Sequence, residues 1–380
     1  MPLSRRALLP LLRIATVPGI GPTRLRRILD HFGSAERALA DPDSARELPG
    51  MGPAVVRGLR EGAGPGGAAR AETLLARLDR IEAVVITPDD EAYPAGLDDL
   101  RDAPFVLYAA GRLELLTERR GFGAVGTRQP TPYGRDAARA LCGEMARRGF
   151  TVVSGMARGI DAASHRASLD AGAGTVGVLG TGIDRIYPPE NRDLFERTLR
   201  EGLLLTEFPP GEDPRAGNFP RRNRLIAALS EGVLVVEMSL KSGAQHTVDY
   251  ALELGREVFA VPGPIGSEVS QGTNQLIRDG ARLVTRVEDI LEELRPAAPI
   301  AAAADDARPA HPAAPSPAPV PDNLPAEERA VLGAMGSAPR HVDHLTTDAG
   351  LDPSRTLAAL LGLELAGLIE SLPGKHFRRV

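Results

Sequence analysis

The sequence predicts an α/β protein centred on a doubly wound parallel sheet, with a small helical domain before it and a three-helix module after it. Three observations lead there. Between residues 82 and 295, short apolar runs alternate with segments of helical periodicity, as expected for parallel strands buried on both faces and joined by helices. Upstream, Val17-Pro18-Gly19-Ile20-Gly21-Pro22 is echoed by Leu48-Pro49-Gly50-Met51-Gly52-Pro53. Downstream, residues 296–323 are nearly all Ala, Pro, Asp and Val, the composition of an extended linker.

Each copy of the upstream echo is a Gly-x-Gly turn opening a short apolar helix, with Leu25, Ile28 and Leu29 in the first and Val55, Val56 and Leu59 in the second. This looks like a pair of helix-hairpin-helix motifs, whose tight turn offers backbone N–H groups to a DNA phosphate. A helical domain that uses the turns only for packing remains the competing reading. Residues 62–70, rich in Gly and Ala, read as a flexible connection.

In the central region, strands are expected at 83–87, 121–125, 151–154, 175–179, 203–206, 233–236, 257–261 and 283–285. Helices fit at 134–148, 161–171, 192–201 and 247–254. A sheet of this kind binds ligands at the carboxyl ends of its strands. Beyond the linker, helical periodicity covers 326–335, 341–349 and 354–366, and a strand–turn–strand follows around 368–378, turning at Pro373-Gly374-Lys375. Three helices and a hairpin look like a winged helix. The division is therefore 1–70, 71–295, 296–323 and 324–380.

Composition sets the bounds. The 380 residues carry a net charge of −5, with 43% hydrophobic and 25% charged residues, ordinary for a globular protein of two or three domains. No apolar run approaches the roughly 20 residues a membrane span needs, so no membrane association is expected. The opening Met1-Pro2-Leu3-Ser4-Arg5-Arg6 superficially resembles a signal peptide, but Arg13 interrupts the apolar stretch and no small-residue cleavage site follows. The single cysteine, Cys142, excludes an internal disulfide and fits a reducing cytoplasm. Its simplest role is a small buried apolar residue. The acidic total argues against a global nucleic-acid coat, yet a local basic groove is compatible with it.

The loops after the strands hold the candidate chemistry. Phe219-Pro220-Arg221-Arg222-Asn223-Arg224 gathers three guanidinium groups, an amide and an aromatic ring, suited to phosphate contact and base stacking. Pro220 biases Phe219 away from the α region, which puts the arginines at the mouth of a helix starting near Asn223, where the dipole attracts anions. Gly126-Thr127-Arg128 follows the second strand, and Ser154-Gly155-Met156-Ala157-Arg158-Gly159 the third, with Asp161 and His165 beyond it. Asp161 reads as an N-cap with His165 as its partner one turn on; two such residues make no closed metal set. Gly180-Thr181-Gly182 is compatible with a nucleotide or with a plain turn. Lys241-Ser242-Gly243 precedes a helix and repeats the anion-site pattern. Each motif alone fits a solvated turn, but Arg128, Arg158, Arg222, Arg224 and Lys241 would all share one edge of the sheet.

Several chemistries lack their signatures. There is no Gly-x-x-x-x-Gly-Lys-Ser/Thr, so P-loop nucleotide hydrolysis is unsupported. No Gly-x-Gly-x-x-Gly follows the first strand with an acidic residue beyond it, which weakens dinucleotide binding. Ser154 and Ser242 have no motif-placed base. No catalytic constellation and no cofactor are expected.

Gly126-Thr-Arg, Ser154-Gly-Met-Ala-Arg-Gly-Ile-Asp-Ala-Ala-Ser-His, Gly180-Thr-Gly-Ile-Asp, Tyr187-Pro-Pro-Glu-Asn, Phe219-Pro-Arg-Arg-Asn-Arg, Val261-Pro-Gly and Gly272-Thr-Asn-Gln-Leu-Ile together resemble the DNA-processing protein DprA (Smf) family, in order from about 82 to 295. The resemblance implies an extended Rossmann core with a helix-hairpin-helix (SAM-like) domain and a winged helix. It also implies a cytoplasmic, non-enzymatic homodimer that binds incoming single-stranded DNA during natural transformation and loads RecA recombinase onto it. By motif, DNA contacts fall on Gly126, Thr127, Arg128, Ser154, Gly155, Ala157, Arg158, Gly159, Phe219, Arg221, Arg222, Asn223 and Arg224, with Lys241, Ser242 and Gly243 nearby. Three departures stand out. Thr127 replaces the family's usual serine, Ser242-Gly-Ala-Gln-His-Thr replaces Ser-Gly-Ser-Leu-Ile-Thr, and Pro189 takes the place of a common lysine. The competing class is a nucleotide-processing phosphoribohydrolase-like enzyme on the same sheet, whose Pro-Gly-Gly-x-Gly-Thr loop is not matched here. The last module, with only Arg355 as a cation on 354–366, is expected to act mainly in protein contact or regulation.

Overall fold

The computed structural model describes residues 5–294, 324–335, 340–366, 368–372 and 376–379. Two compact units divide the chain, Met1–Arg295 and Pro296–Val380. The expected linker 296–323 and the turn Pro373-Gly374-Lys375 lie outside the described residues.

The first unit opens with five helices: α1 (Arg5–Ala15), α2 (Pro22–Phe32), α3 (Ala35–Ala40), α4 (Pro53–Ala63) and α5 (Pro65–Arg80). The two echoed motifs supply equivalent helix starts. Gly21 and Gly52 are extended N-caps and Pro22 and Pro53 take the first helical positions, where a missing N–H costs nothing. Residues 62–70 are not the flexible connection their composition indicates. Helix α5 begins at Pro65 and buries Ala71, Leu74, Leu75 and Leu78, so tertiary burial overrides the local glycine signal. The same apolar cluster takes in Val85, Val106 and Tyr108, which fastens the helices to the sheet.

The sheet follows as β1 (Val84–Ile86), β2 (Leu107–Gly111), β3 (Arg120–Val125), α6 (Pro132–Arg147), β4 (Phe150–Ser154), α7 (Ile160–Asp170), β5 (Thr175–Val178), α8 (Arg192–Glu201), β6 (Leu203–Thr206), α9 (Asn218–Ala228), β7 (Gly232–Val235), α10 (Gln245–Glu253), β8 (Glu257–Ala260), α11 (Glu268–Arg278), β9 (Arg282–Leu283) and α12 (Glu288–Leu291). Its order is β1-β2-β6-β5-β4-β3-β7-β8-β9. Strands β3 to β9 are parallel, whereas β2 runs antiparallel to β6 and β1 antiparallel to β2. The wholly parallel expectation is thus corrected at one edge. Strand β2 escaped the sequence reading because a short apolar run with two alanines has no period to separate strand from helix.

After β3 the chain builds outward through β4, β5 and β6, then returns to place β7 on the other side of β3. That reversal is the topological switch point, and it opens a crevice at the carboxyl ends of β3 and its neighbours.

The second unit comprises α13 (Ala326–Ala334), β10 (Arg340–His341), α14 (Val342–Ala349), α15 (Pro353–Leu365), β11 (Ile369–Leu372) and β12 (His376–Arg379). The strands order as β10-β12-β11. Val331, Leu332, Leu345, Leu360, Leu363 and Ile369 form its core. This is the winged-helix arrangement anticipated from periodicity.

Candidate nucleic-acid interface

A cleft of about 960 Å³ opens at the switch point. Its walls are the turn after β3 (Gly126 to Gln129), the loop after β4 (Ala157 and Arg158), Tyr187, the first turns of α9 (Phe219, Pro220, Arg222 and Asn223) and the segment leading into α10 (Ser242, Gly243, Ala244 and His246).

The turn after β3 is fixed by backbone bonds. Thr127 N donates to Glu237 O at 2.7 Å, and Thr127 O accepts from Ile160 N at 3.2 Å. The Glu237 carboxylate lies buried and accepts from Thr131 N and Oγ1, at 2.9 and 2.5 Å. Arg128 is left exposed, with no carboxylate partner among the described residues. Its Cζ stands 5.8 Å from the Phe219 ring centroid, within cation–π range.

The loop after β4 is stapled from several sides. Asp161 Oδ2 accepts from Gly155 N at 3.1 Å and from Ala157 N at 3.4 Å. Asn191 Nδ2 donates to Met156 O and Ala157 O, at 2.9 and 3.1 Å. His165 Nε2 accepts from Met156 N at 3.3 Å, while its Nδ1 meets Thr175 Oγ1 at 2.7 Å. Because the Thr175 hydroxyl donates to Val152 O, His165 must carry its proton on Nδ1. Burial, with Arg222 and Arg166 nearby, holds that imidazole down at about 3, so it is neutral at any physiological pH. Asp161 is therefore not the N-cap expected from sequence, and His165 is not its partner. Helix α7 starts one residue before Asp161, and each side chain turns back to hold the loop. Burial pushes the Asp161 carboxyl up, opposed by Arg222 and by the two N–H groups.

Helix α9 corrects the sequence reading most. It begins at Asn218, not near Asn223. Pro220 is the third residue of the helix, where its missing N–H would have had no intrahelical partner, so Phe219 is helical despite the proline after it. The cluster consequently winds round the helix instead of lying at its mouth. Arg221 and Arg224, three residues apart, share one face and converge on Glu207. Arg221 Nη2 reaches Oε2 at 2.5 Å, and Arg224 Nη2 reaches both oxygens at 2.8 and 2.9 Å. Arg224 is 2% exposed, which removes it from direct phosphate contact. Burial pushes the Glu207 carboxyl up despite the two arginines. Arg221 leans on Phe208, 5.3 Å from the ring centroid, and lines a different cleft, beside Gly19, Arg24 and Phe105.

Arg222 turns inward and is 4% exposed. Its Nη1 donates to Gly155 O at 2.7 Å and also to Val178 O, tying the ends of β4 and β5 to α9. The approach is so close that a Cβ on residue 155 would sit 2.5 Å from Arg222 Nη2, so any larger residue there would displace the guanidinium from these bonds. Burial lowers the guanidinium to about 10. Arg222 thus forms the floor of the cleft.

Phe219 packs on the Gly180 backbone, where a Cβ would lie 2.8 Å from the ring, and beside Tyr187 at 5.4 Å between centroids. Arg158 reaches the cleft while paired with Glu190 at 2.6 Å. Asn223 donates to Gly243 O at 3.4 Å, joining α9 to the Ser242–Gly243 turn. Ser154 is fully buried, its hydroxyl given to Ala124 O. Gly159 closes the loop against Thr127 and Arg128. Lys241 is exposed but lies outside the cleft lining.

Of the five cations expected on one edge, Arg128 faces the cleft without a carboxylate partner, Arg158 faces it while paired with Glu190, Arg222 floors it, and Arg224 and Lys241 do not line it. Sequence reasoning missed Tyr187, Gln129 and His246 as wall residues. Tyr187 was legible as the aromatic before Pro188-Pro189; nothing local marks the other two. Among the described residues no cluster of His, Cys, Asp and Glu is placed to hold a metal, and no helix is long and apolar enough to cross a membrane.

The chain is similar to known proteins along most of its length. Residues 84–295 match the model for the DNA recombination-mediator protein A family, 312–375 that for the DprA winged helix domain, and 11–65 that for a SAM-like helix-hairpin-helix tandem. Protein Smf of Synechocystis sp. is 35% identical, over 96% of each chain. A DNA processing protein A structure from Streptococcus pneumoniae superposes with a TM-score of 0.64 at 30% identity, covering 78% of this chain and 99% of that one. The Helicobacter pylori DNA processing protein A, described with a single-stranded DNA binding mode, gives 0.51 at 31% identity, covering 55% and 95%.

Proposed function

The chain belongs to the DprA (Smf) family, and from that premise we propose that the switch-point cleft binds single-stranded DNA without catalysing a reaction on it. The observation that carries this is the exposed Arg128 held against Phe219, with Tyr187 beside it. Aromatic faces take unpaired bases in any sequence, and guanidinium groups take the phosphates between them. Thr127, the Ala157–Arg158 turn, Asn223, Ser242 and Gly243 add polar groups along the walls. A duplex keeps its base faces stacked and has nothing to offer Phe219.

The proposal extends to delivery of the bound strand to RecA recombinase in natural transformation, supported by the recombination-mediator description of the family. It also includes homodimerisation through the core. The loop before α10 is tied to the first turn of α11 by Met238 N, which donates to Val269 O at 2.6 Å. Leu240 lies on that loop, while Ile265 lies just before α11. Exposed at 61% and 95%, they form an apolar surface a second copy would cover.

The test is titration of a labelled oligothymidine against the intact protein, beside a duplex of equal length. Phe219→Ala should weaken single-strand binding by about 1–3 kcal/mol and leave duplex binding unchanged. Equal affinity for both forms would overturn the single-strand preference, and release of free base from nucleoside monophosphates would replace this reading with the enzymatic one.

A further inference from the structure

A second cleft, of about 440 Å³, opens on the far side of α9. Its walls bring the turn into α2, with Arg24, against Phe105 just before β2 and against Glu207 and Arg221. Phe219 lines the switch-point cleft and Arg221 lines this one. Two residues apart on an α-helix, they point about 200° apart around an axis about 10 Å across. The first turn of α9 is therefore the ridge between the two clefts.

The second cleft repeats the contact on which the first depends. Arg26 Cζ stands 5.7 Å from the Phe105 ring centroid, against 5.8 Å for Arg128 and Phe219, and both rings are half-buried. Arg26 is exposed and Arg24 half-buried. Arg24 Nη1 donates to Gly19 O at 2.5 Å, and neither arginine has an ion-pair partner among the described residues. The acid in the wall does not offset them. The Glu207 side chain is 2% accessible and is held by Arg221 and Arg224, so a ligand meets the Arg221 guanidinium, 43% accessible, in front of it. A half-buried aromatic ring among accessible guanidinium groups suits an unpaired base flanked by phosphates.

We propose that this cleft is a second subsite for the same single strand. A strand held at the switch point crosses the first turn of α9, rests a base against Phe105 and sets its phosphates on Arg24, Arg26 and Arg221. The inference rests on the single-strand reading of the switch-point cleft and carries the bound strand onto the helical domain. It does so through α2 alone, because no residue of the second hairpin, Gly50 to Pro53, lines the cleft.

The test titrates oligothymidines of about 4 and about 16 nucleotides against the intact protein at low salt. Arg26→Ala removes an exposed side chain that forms no ion pair, so thermal unfolding should be unchanged. It should weaken the longer oligonucleotide about ten-fold and lower its salt slope by about 0.7, leaving the shorter one as it was. Arg24→Ala should act in the same way. Phe105→Leu should weaken the longer one several-fold at unchanged slope, since it removes a base contact and no charge. Arg57→Ala, an exposed arginine on α4 outside both clefts, should alter neither. Arg128→Ala keeps the two readings apart: it should weaken both lengths, and if it weakens neither, the switch-point reading itself has failed. The second subsite is overturned if Arg26→Ala leaves the longer oligonucleotide unaffected, weakens both lengths alike, or is matched by Arg57→Ala.

Discussion

The turn after β3 and the first turns of α9 both bring arginine to the switch point, and they spend it differently. Arg128 sits on a short turn held by backbone bonds and by the Thr127 and Glu237 side chains, none of which engages its guanidinium. The α9 arginines lie on a helix packed against the strand ends, and Arg222 and Arg224 are consumed by the interior. Arg222 satisfies two carbonyl oxygens and Arg224 neutralises Glu207. Density of charge in the sequence is therefore a poor guide to charge available for a ligand. The single arginine of Gly126-Thr127-Arg128 is the better-placed one.

Substitutions should separate the two regions sharply. The largest effect is expected at Arg224, whose loss leaves the 2%-exposed side chain of Glu207 with Arg221 as its remaining arginine partner. Breaking a buried pair costs about 3–5 kcal/mol, and the surviving Arg221 contact puts Arg224→Met near the lower end, read by urea unfolding. If Arg224→Met matches wild-type stability, the ion pair is not structural and the contrast with Arg128 weakens.

Arg222→Ala comes next. Two buried carbonyls lose their donor, at about 2–3 kcal/mol, and the loop after β4 loosens. Stability and single-strand binding should fall together, and Arg222→Lys should not restore them, because one ammonium lacks the planar fork. Normal stability with weakened binding would return Arg222 to the role of a direct phosphate ligand.

His165 sharpens the comparison from beneath the loop. Its folded value of about 3 lies below the ordinary 6.5, so between those limits the unfolded chain binds the extra proton. Stability is then fully present above pH 6.5 and declines as the pH falls toward 3. At pH 5 the loss from this residue is about 2 kcal/mol. His165→Gln should therefore flatten the acid limb of the stability profile; parallel profiles for the two proteins would contradict a buried neutral imidazole.

Much of this was legible in the sequence, for physical reasons. The parallel strands announce themselves as apolar runs buried on both faces, and the span of α8 follows from periodicity alone. Helix α5 and strand β2 were illegible because tertiary burial, not local pattern, decides them: Pro65-Gly66-Gly67 reads as loop until Leu74 and Leu78 find the core. The loops of the site could be located, since strand ends on a doubly wound sheet are where ligands go. Which guanidinium groups stay free could not be. That depended on where α9 begins, and Pro220 points to the wrong register. Nothing adjacent in sequence marks Glu207 as the partner of Arg221 and Arg224.

The most direct measurement is the salt dependence of single-strand affinity for Arg128→Ala beside wild type. Losing one phosphate contact should lower affinity by about 1–3 kcal/mol and reduce the slope of log K against log salt by about 0.7. Unfolding free energy should stay within about 0.5 kcal/mol of wild type, as for an unburdened surface residue. Unchanged affinity and slope in a folded Arg128→Ala protein would contradict the cleft as the DNA site.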